Sequence, residues 1–188
     1  MNHLGTVRIE TSRLILRKFD KTDIELAFRN WTSDDKVTRF LRWPTHADMS
    51  ITETVFNDWI SQYANADFYQ WAIVPKDIGE PIGTISVVSS DEKTEKIHIG
   101  YCIGSKWWNL GYTSEAFQAV ISFFFEQVGA KRIESQHDPE NAGSGKVMEK
   151  CGLLYEGTLR NAGWNNRGIV DAKMYGILAS DYFKKRAL

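Results

Sequence analysis

Residues 96–129 read KIHIGYCIGSKWWNLGYTSEAFQAVISFFFEQVG, and the spacing of their apolar side chains changes once along the way. Ile97, Ile99, Tyr101 and Ile103 alternate with His98, Gly100 and Cys102, the period of two of a strand inside a sheet. From Phe117 the period becomes helical. Phe117, Val120, Ile121, Phe124, Phe125 and Val128 form one continuous stripe, and Gly129 supplies a left-handed stop. Between the two patterns, Gly104 to Ser114 is a loop that opens a helix. The first amides of a helix are unpaired and carry the positive end of its dipole, so such a loop cradles a phosphate where the chain lets a ligand come close. Gly111 permits that approach.

The rest of the chain is placed around this unit. Thr11–Phe19 reads as a first strand with Leu14 and Leu16 on one face, and Lys21–Trp31 as a short amphipathic helix with Thr22 and Asp23 as cap candidates. Residues 32–50 read as irregular, with room for one helical turn; Phe40, Leu41 and Trp43 there either cover a core edge or bind something. Ser50–Ala64 is a second helix, with Ser50 as its cap and Glu53 at the capping-box position. Three strands follow without a helix between them, Tyr69–Val74, Ile82–Val88 and the one in the quoted stretch. The turns between them, Pro75–Pro81 and Ser89–Glu95, are short, which makes the strands antiparallel. After the long helix come a strand at Arg132–Gln136 and a helix at Asn141–Lys150 closed by Gly152. Two strands at Leu153–Arg160 and Val170–Leu178 are separated by a turn-rich loop, Asn161–Gly168, and the segment Asp181–Arg186 is basic and exposed. Strand, helix, strand, helix is a crossover pattern, which sets the fold class as α/β (α+β).

At 188 residues the sequence suits one domain, 1–188. Its 23 Lys+Arg balance 24 Asp+Glu to a net charge of −1, so the overall charge steers it to neither nucleic acid nor membrane. There is no apolar leader segment and no apolar run of about 18 residues, which makes the cytoplasm the expected location. Cys102 and Cys151 lack metal-ligand spacing and read as buried free thiols; no metal is expected.

Two motifs carry a family resemblance. K-x-x-N-x-G-Y-x-x-E-A, from Lys106 to Ala116, resembles the acyl-CoA loop of the GNAT N-acetyltransferase superfamily, Arg/Gln-x-x-Gly-x-Gly/Ala. It departs from that pattern at Lys106 and at Asn109, and asparagine is the residue after glycine that best tolerates positive φ. N-x-x-S-x-K-V-x-x-K-x-G-L, from Asn141 to Leu153, resembles the motif that follows that loop, and it leads into Y-E-G-T-L-R. With T-S-R-L-I-L-R at residues 11–17 the resemblance reaches from Thr11 to about Tyr182. It is nearest to the branch of ribosomal-protein N-terminal alanine and serine acetyltransferases, which also holds enzymes acting on small amines.

The resemblance implies a mixed, mostly antiparallel sheet of about seven strands with flanking helices, whose fourth and fifth strands splay apart to admit the pantetheine arm of acetyl-CoA. Backbone groups of Tyr101, Cys102 and Ile103 would meet that arm. Lys106, Trp107, Trp108, Asn109, Leu110, Gly111, Tyr112 and Thr113 would wrap the pyrophosphate. Asn141 would contact the pantetheine amides, Ser144 the thiol, and Lys146 the 3′-phosphate. Asn141 and Ser144 also read as ordinary helix-start residues, and Lys146 as a solvated one.

An amine must lose a proton before it attacks a thioester, so the chemistry wants a general base, an oxyanion donor and an acid for the departing thiolate. His98 is the best base by type and by its place on the strand; a histidine packed on a sheet face is the competing reading, and Glu95 is the neighbouring substitute. Glu115, in the first turn of the long helix, complements the dipole and reads as structural. The leading function is acetyl transfer to a primary amine, either a peptide or protein N-terminus or a small molecule. An acyl-CoA-binding sensor without turnover is the alternative. The sequence leaves the acceptor, the acyl group and a homodimer open.

Overall fold

The computed structural model describes residues 1–186. Eight strands form one sheet in the order β1-β2-β3-β4-β5-β6-β8-β7. They are β1 (Ile9–Glu10), β2 (Leu14–Arg17), β3 (Gln70–Pro75), β4 (Gly83–Asp91), β5 (Lys96–Ile103), β6 (Arg132–His137), β7 (Leu154–Asn165) and β8 (Gly168–Leu178). The eighth strand relative to the seven expected is β1, a two-residue piece paired to the start of β2. Every neighbouring pair is antiparallel except β5 and β6. That parallel pairing covers only Lys96↔Arg132, Ile97↔Ile133 and His98↔Glu134, after which the strands part. Counted from β2, these are the fourth and fifth strands.

The helices are α1 (Asp23–Ala27), α2 (Asp35–Thr38), α3 (Met49–Gln62), α4 (Tyr112–Phe123), α5 (Ala142–Lys150) and α6 (Ala179–Arg186). One face of the sheet is covered by α4, the turn that extends it and α5, whose Phe117, Val120, Ile121, Phe124 and Met148 meet Leu14, Leu16, Trp71, Ile73, Ile97 and Ile99. Each large side chain fully buried there contributes about 1.5–3 kcal/mol of transfer free energy. α4 runs on through a wide turn, Phe124–Val128, and ends at Gly129 with φ 82°, where the amides of Gly129 and Ala130 both donate to the Phe124 carbonyl. The other face carries α1 to α3, where Phe19, Trp31, Phe56, Ala72, Val74 and Cys102 form a second core. β5 is therefore two-sided: Ile97, Ile99 and Tyr101 face α4, while His98, Gly100 and Cys102 face the early helices.

Four local expectations need correction. The cap of α3 is Asp48, whose carboxylate accepts from the Ser50 amide at 2.9 Å, so Ser50 is not the cap and α3 begins at Met49. Thr22 stands at the cap position of α1 without a side-chain bond; Asp20 and Asp23 instead accept from the Thr22 and Asp20 amides. β4 continues to Asp91 because an extra residue, Val88, bulges out of the ladder and shifts its register against β5. The loop expected at Asn161–Gly168 is mostly strand. β7 and β8 stay paired through Gly163↔Val170 and Trp164↔Ile169, leaving Asn166 and Arg167 as the tip.

Candidate active site

The gap between β5 and β6 opens where their ladder stops. On β5 the Gly104 amide bonds to Ile82 of the neighbouring chain segment, while the carbonyls of Ile99 and Ile103 point the other way, to Ser135 Oγ at 2.8 Å and Trp108 Nε1 at 2.9 Å. Backbone groups along a strand alternate in direction, so Tyr101, in phase with Ile99 and Ile103, turns its N–H and C=O toward the gap. β6 leads through Asp138 to Asn141, which caps α5: its side-chain oxygen accepts from the Ser144 amide at 3.3 Å. The two arms meet at the Tyr101 phenol, 3.0 Å from the Ser144 carbonyl and 3.1 Å from Ser144 Oγ. Burial holds that phenol far above its ordinary pKa, so it is a proton-bearing donor.

A cavity of about 570 Å³ lies over this junction. Tyr101, Cys102, Ile103, Asn141 and Ser144 line its floor, and Trp107, Trp108, Asn109, Leu110, Gly111 and Thr113 its end at the start of α4. Tyr112 does not line it: the ring is buried in the core beneath Arg13, and only its place in the first turn of α4 bears on the cradle. Lys106 lies just outside, its ammonium 5.3 Å from the Trp107 ring centre. Lys146 lines the cavity, as do Lys36 and Lys150, which the sequence reading did not single out. No Asp or Glu lines it among the described residues. A protein of net charge −1 thus presents an all-cationic cavity, the electrostatics of a polyanion site.

The loop into α4 has the backbone that such a ligand needs. Asn109 sits at φ 63° and Gly111 at φ 81°, and Gly111 caps the helix without any side-chain bond to its first amides. A Cβ built on Gly111 would lie 3.4 Å from Arg13 Nη2 and 4.0 Å from Lys150 Nζ, so two cations bracket the glycine. Arg13 is fixed there by Glu115. That carboxylate accepts from Thr11 Oγ1, Ser12 Oγ, the Arg13 amide and Arg13 Nε at 2.6–3.1 Å, and these bonds hold its pKa down at about 2 against the opposing effect of burial. Glu115 ties the turn that leads into β2 to α4 and is structural.

The expected bases lie apart from this cavity. His98 does not line it; its ring is on the opposite face of β5 from Tyr101, with Nδ1 3.4 Å from Glu134 Oε1. Burial lowers the His98 pKa, Glu134 pulls it back up, and Arg42 and Lys96 lower it further. Glu134 is itself held by Lys96 at 3.0 Å and Arg132 at 3.1 Å. Glu95 is a turn residue at φ 51° whose carbonyl takes the Lys131 and Arg132 amides. Eight residues of strand separate it from Ile103, about 26 Å. The far wall of the cavity comes from Val37, Phe40 and Leu41, in the stretch that reads as irregular; Ser114, Gly143 and Val147 complete it. Both cysteines are buried free thiols with pKa values pushed up to about 12 by burial.

The acetyltransferase (GNAT) domain family matches residues 13–154. This chain belongs to that family. It is 30% identical over 170 residues to the N-acetyltransferase YoaA of Bacillus subtilis, itself uncharacterized, covering 90% of this chain and 96% of that protein. A crystal structure of a GNAT-family acetyltransferase from Bacillus anthracis superposes with a TM-score of 0.81 at 27% identity, over 93% of this chain and 99% of that one. Ribosomal L7/L12 alpha-N-protein acetyltransferase RimL, solved in complex with coenzyme A, shares the fold at a TM-score of 0.81 and 19% identity, over 92% and 98% of the two chains. The chain is an acetyl-CoA-dependent acetyltransferase, and the splayed strands, the left-handed loop before α4 and the lysine-lined cavity fit that cosubstrate. Among the described residues no group of three or more His, Cys, Asp or Glu is placed to hold a metal ion, and no helix is long and apolar enough to cross a membrane.

Proposed function

We propose that this GNAT acetyltransferase acetylates the primary amine of a peptide or protein N-terminus by direct attack on the thioester. The observation that carries the direct mechanism is the Tyr101–Ser144 hydroxyl pair at the mouth of the strand gap, beside a cradle for the rest of acetyl-CoA. Acetyl-CoA supplies the activated acetyl group. The chain's residues do the rest: the Tyr101 amide donates to the carbonyl oxygen as charge develops on it, and Ser144, backed by the Tyr101 phenol, gives a proton to the departing sulfur. The acceptor approaches from the face of β5 that carries Gly100 and Cys102, where His98, oriented by Glu134, takes the proton of the attacking amine directly or through water. Lys106, Lys146 and Lys150, with the amides opening α4, hold the phosphates, and Asn141 fixes the turn that presents Ser144.

A peptide acceptor is supported by the apolar wall of Phe40 and Leu41 in the cavity that Cys102 also lines, and by the shared fold with RimL. The test is mass spectrometry of short peptides and small polyamines after incubation with acetyl-CoA. Acetylation on the peptide α-amine and not on lysine side chains is the expected result. Acetylation of the polyamines alone would move the assignment to small amines.

A further inference from the structure

The tip of the β7–β8 hairpin lies outside the cavity but is bonded to one of its walls and to the loop that leads into the other. The Asn166 amide donates to the Leu41 carbonyl at 3.1 Å, and Asn166 Nδ2 donates to the carbonyls of Thr38 and Trp43, each at 2.8 Å. Arg167 donates to Asp138 Oδ2 at 2.9 Å and pairs with Glu140, and Asn165 Nδ2 reaches the same Asp138 oxygen at 2.8 Å. Asp138 and Glu140 belong to the loop that delivers Asn141 and Ser144. The Phe40 ring has the Arg39 and Arg167 guanidinium carbons 5.3 and 5.8 Å from its centre. One turn therefore joins the wall of Phe40 and Leu41 to the loop that carries the thiol-side residues.

The hairpin's length is explained by this contact and not by core packing. β6 pairs with Lys173–Leu178 of β8, so the outer part of the hairpin projects past the sheet with Leu159, Trp164 and Ile169 more than half exposed. Beyond Ala172 it becomes buried again at the tip, at Asn165. The segment it meets is irregular after α2, and its backbone oxygens need partners that no helix or strand supplies. Asn166 provides them at Leu41 and Trp43 and adds a second donor at the Thr38 carbonyl, which also takes the Leu41 amide at 2.8 Å.

We infer that Asn166 is a positioning residue for acetyl transfer: by bonding Thr38, Leu41 and Trp43 it holds the Phe40–Leu41 wall at a set distance from Cys102, and so governs acceptor binding and not acetyl-CoA binding. This rests on the reading that the acceptor enters along that wall. The cradle before α4 and the cap of α5 make no contact with Asn166, which separates the two affinities. Because Asn166 is exposed, its truncation leaves the core untouched.

Asn166→Ala keeps the main-chain bond to Leu41 and removes the two side-chain bonds. Amide hydrogen exchange in residues 38–46 should quicken roughly tenfold, the loss expected from two modest hydrogen bonds. The acceptor KM should rise by about the same factor, with kcat at saturating acceptor and the calorimetric Kd for acetyl-CoA both within about twofold of wild type. Unchanged exchange in 38–46, or a Kd for acetyl-CoA that weakens as much as the acceptor KM, overturns the inference. A wild-type protein that acetylates no amine overturns the proposed function instead, and the exchange comparison then decides the clamp alone.

Discussion

The phenol of Tyr101 and the backbone and side chain of Ser144 form one hydrogen-bonded unit, 3.0 Å from phenol oxygen to Ser144 carbonyl and 3.1 Å to Ser144 Oγ. Both bonds are satisfied when the phenol donates to the carbonyl and accepts from the serine hydroxyl. The serine proton is then held, aligned, until a more basic atom arrives. A departing thiolate is such an atom.

Ser144→Ala should lower kcat roughly 100-fold, the low end of general acid catalysis, with a smaller change in acetyl-CoA affinity. Tyr101→Phe should cost less, since Ser144 remains. Because the two act as a unit, the double variant should fall short of the product of the singles. Steady-state rates checked beside calorimetric Kd values decide it; a wild-type kcat in all three removes the pair from the chemistry.

Gly111→Val should weaken acetyl-CoA binding at least about tenfold, because a β-branched residue resists the φ of 81° and its side chain intrudes between Arg13 and Lys150. Asn109→Gly should bind as well as wild type, since glycine adopts φ 63° freely. Calorimetry with acetyl-CoA reads both. Unaltered affinity in Gly111→Val would make the glycine a turn residue only.

Glu115 makes stability depend on acid. Its folded pKa of about 2 lies below the ordinary value near 4.5, so its contribution is complete above 4.5 and is lost progressively as pH falls from there toward 2. Glu115→Gln should destabilise the protein by about 1–3 kcal/mol at pH 7, through donors left poorly paired, and should shrink this part of the acid dependence. Denaturant melts at pH 7 and pH 3 measure it. Equal losses for the variant at both values would show that the carboxylate charge is unimportant.

His98 is held below its ordinary value of 6.5 by burial, so the neutral, proton-accepting form is already dominant at pH 7. If it takes the amine proton, the rate should climb with pH through a value below 6.5 and then level until other groups titrate. His98→Ala should remove that limb and lower kcat roughly 10²–10⁴-fold. Glu134→Gln, which leaves the ring in place, should move the limb to still lower pH by withdrawing the carboxylate. A wild-type pH profile in His98→Ala would take the histidine out of the mechanism and leave a water as the base.

The apolar periods of residues 96–129 made the strand, the long helix and the loop between them legible, because β5 and α4 each bury one regular face. Gly129 and Asn141 were legible as a helix stop and a helix cap for equally local reasons. The cap of α3 was not: Asp48 and Ser50 both suit the position, and the bond from Asp48 to the Ser50 amide decides between them. The hairpin tip hid among Gly and Asn residues that also suit a loop, although Gly163 packs against Val170 within the ladder. Phe40 and Leu41 stayed open between a core edge and a binding wall because an irregular segment has no period to read, and Lys36, in the single short helix of that stretch, was not singled out. The Glu134 partner of His98 is brought to it only by the parallel pairing of β5 with β6. Local pattern reaches side chains that share an element, and the site here is made of residues that share a gap.

The most direct measurement is free-thiol release from acetyl-CoA by the wild-type protein with and without amine, over peptides with free N-termini, the same peptides blocked, and small polyamines. Release that depends on a free amine, saturates with it, and stops when the N-terminus is blocked is what the proposed function predicts. Tight binding of acetyl-CoA with no amine-dependent release anywhere in the set would contradict it, leaving a cradle that binds the thioester without using it.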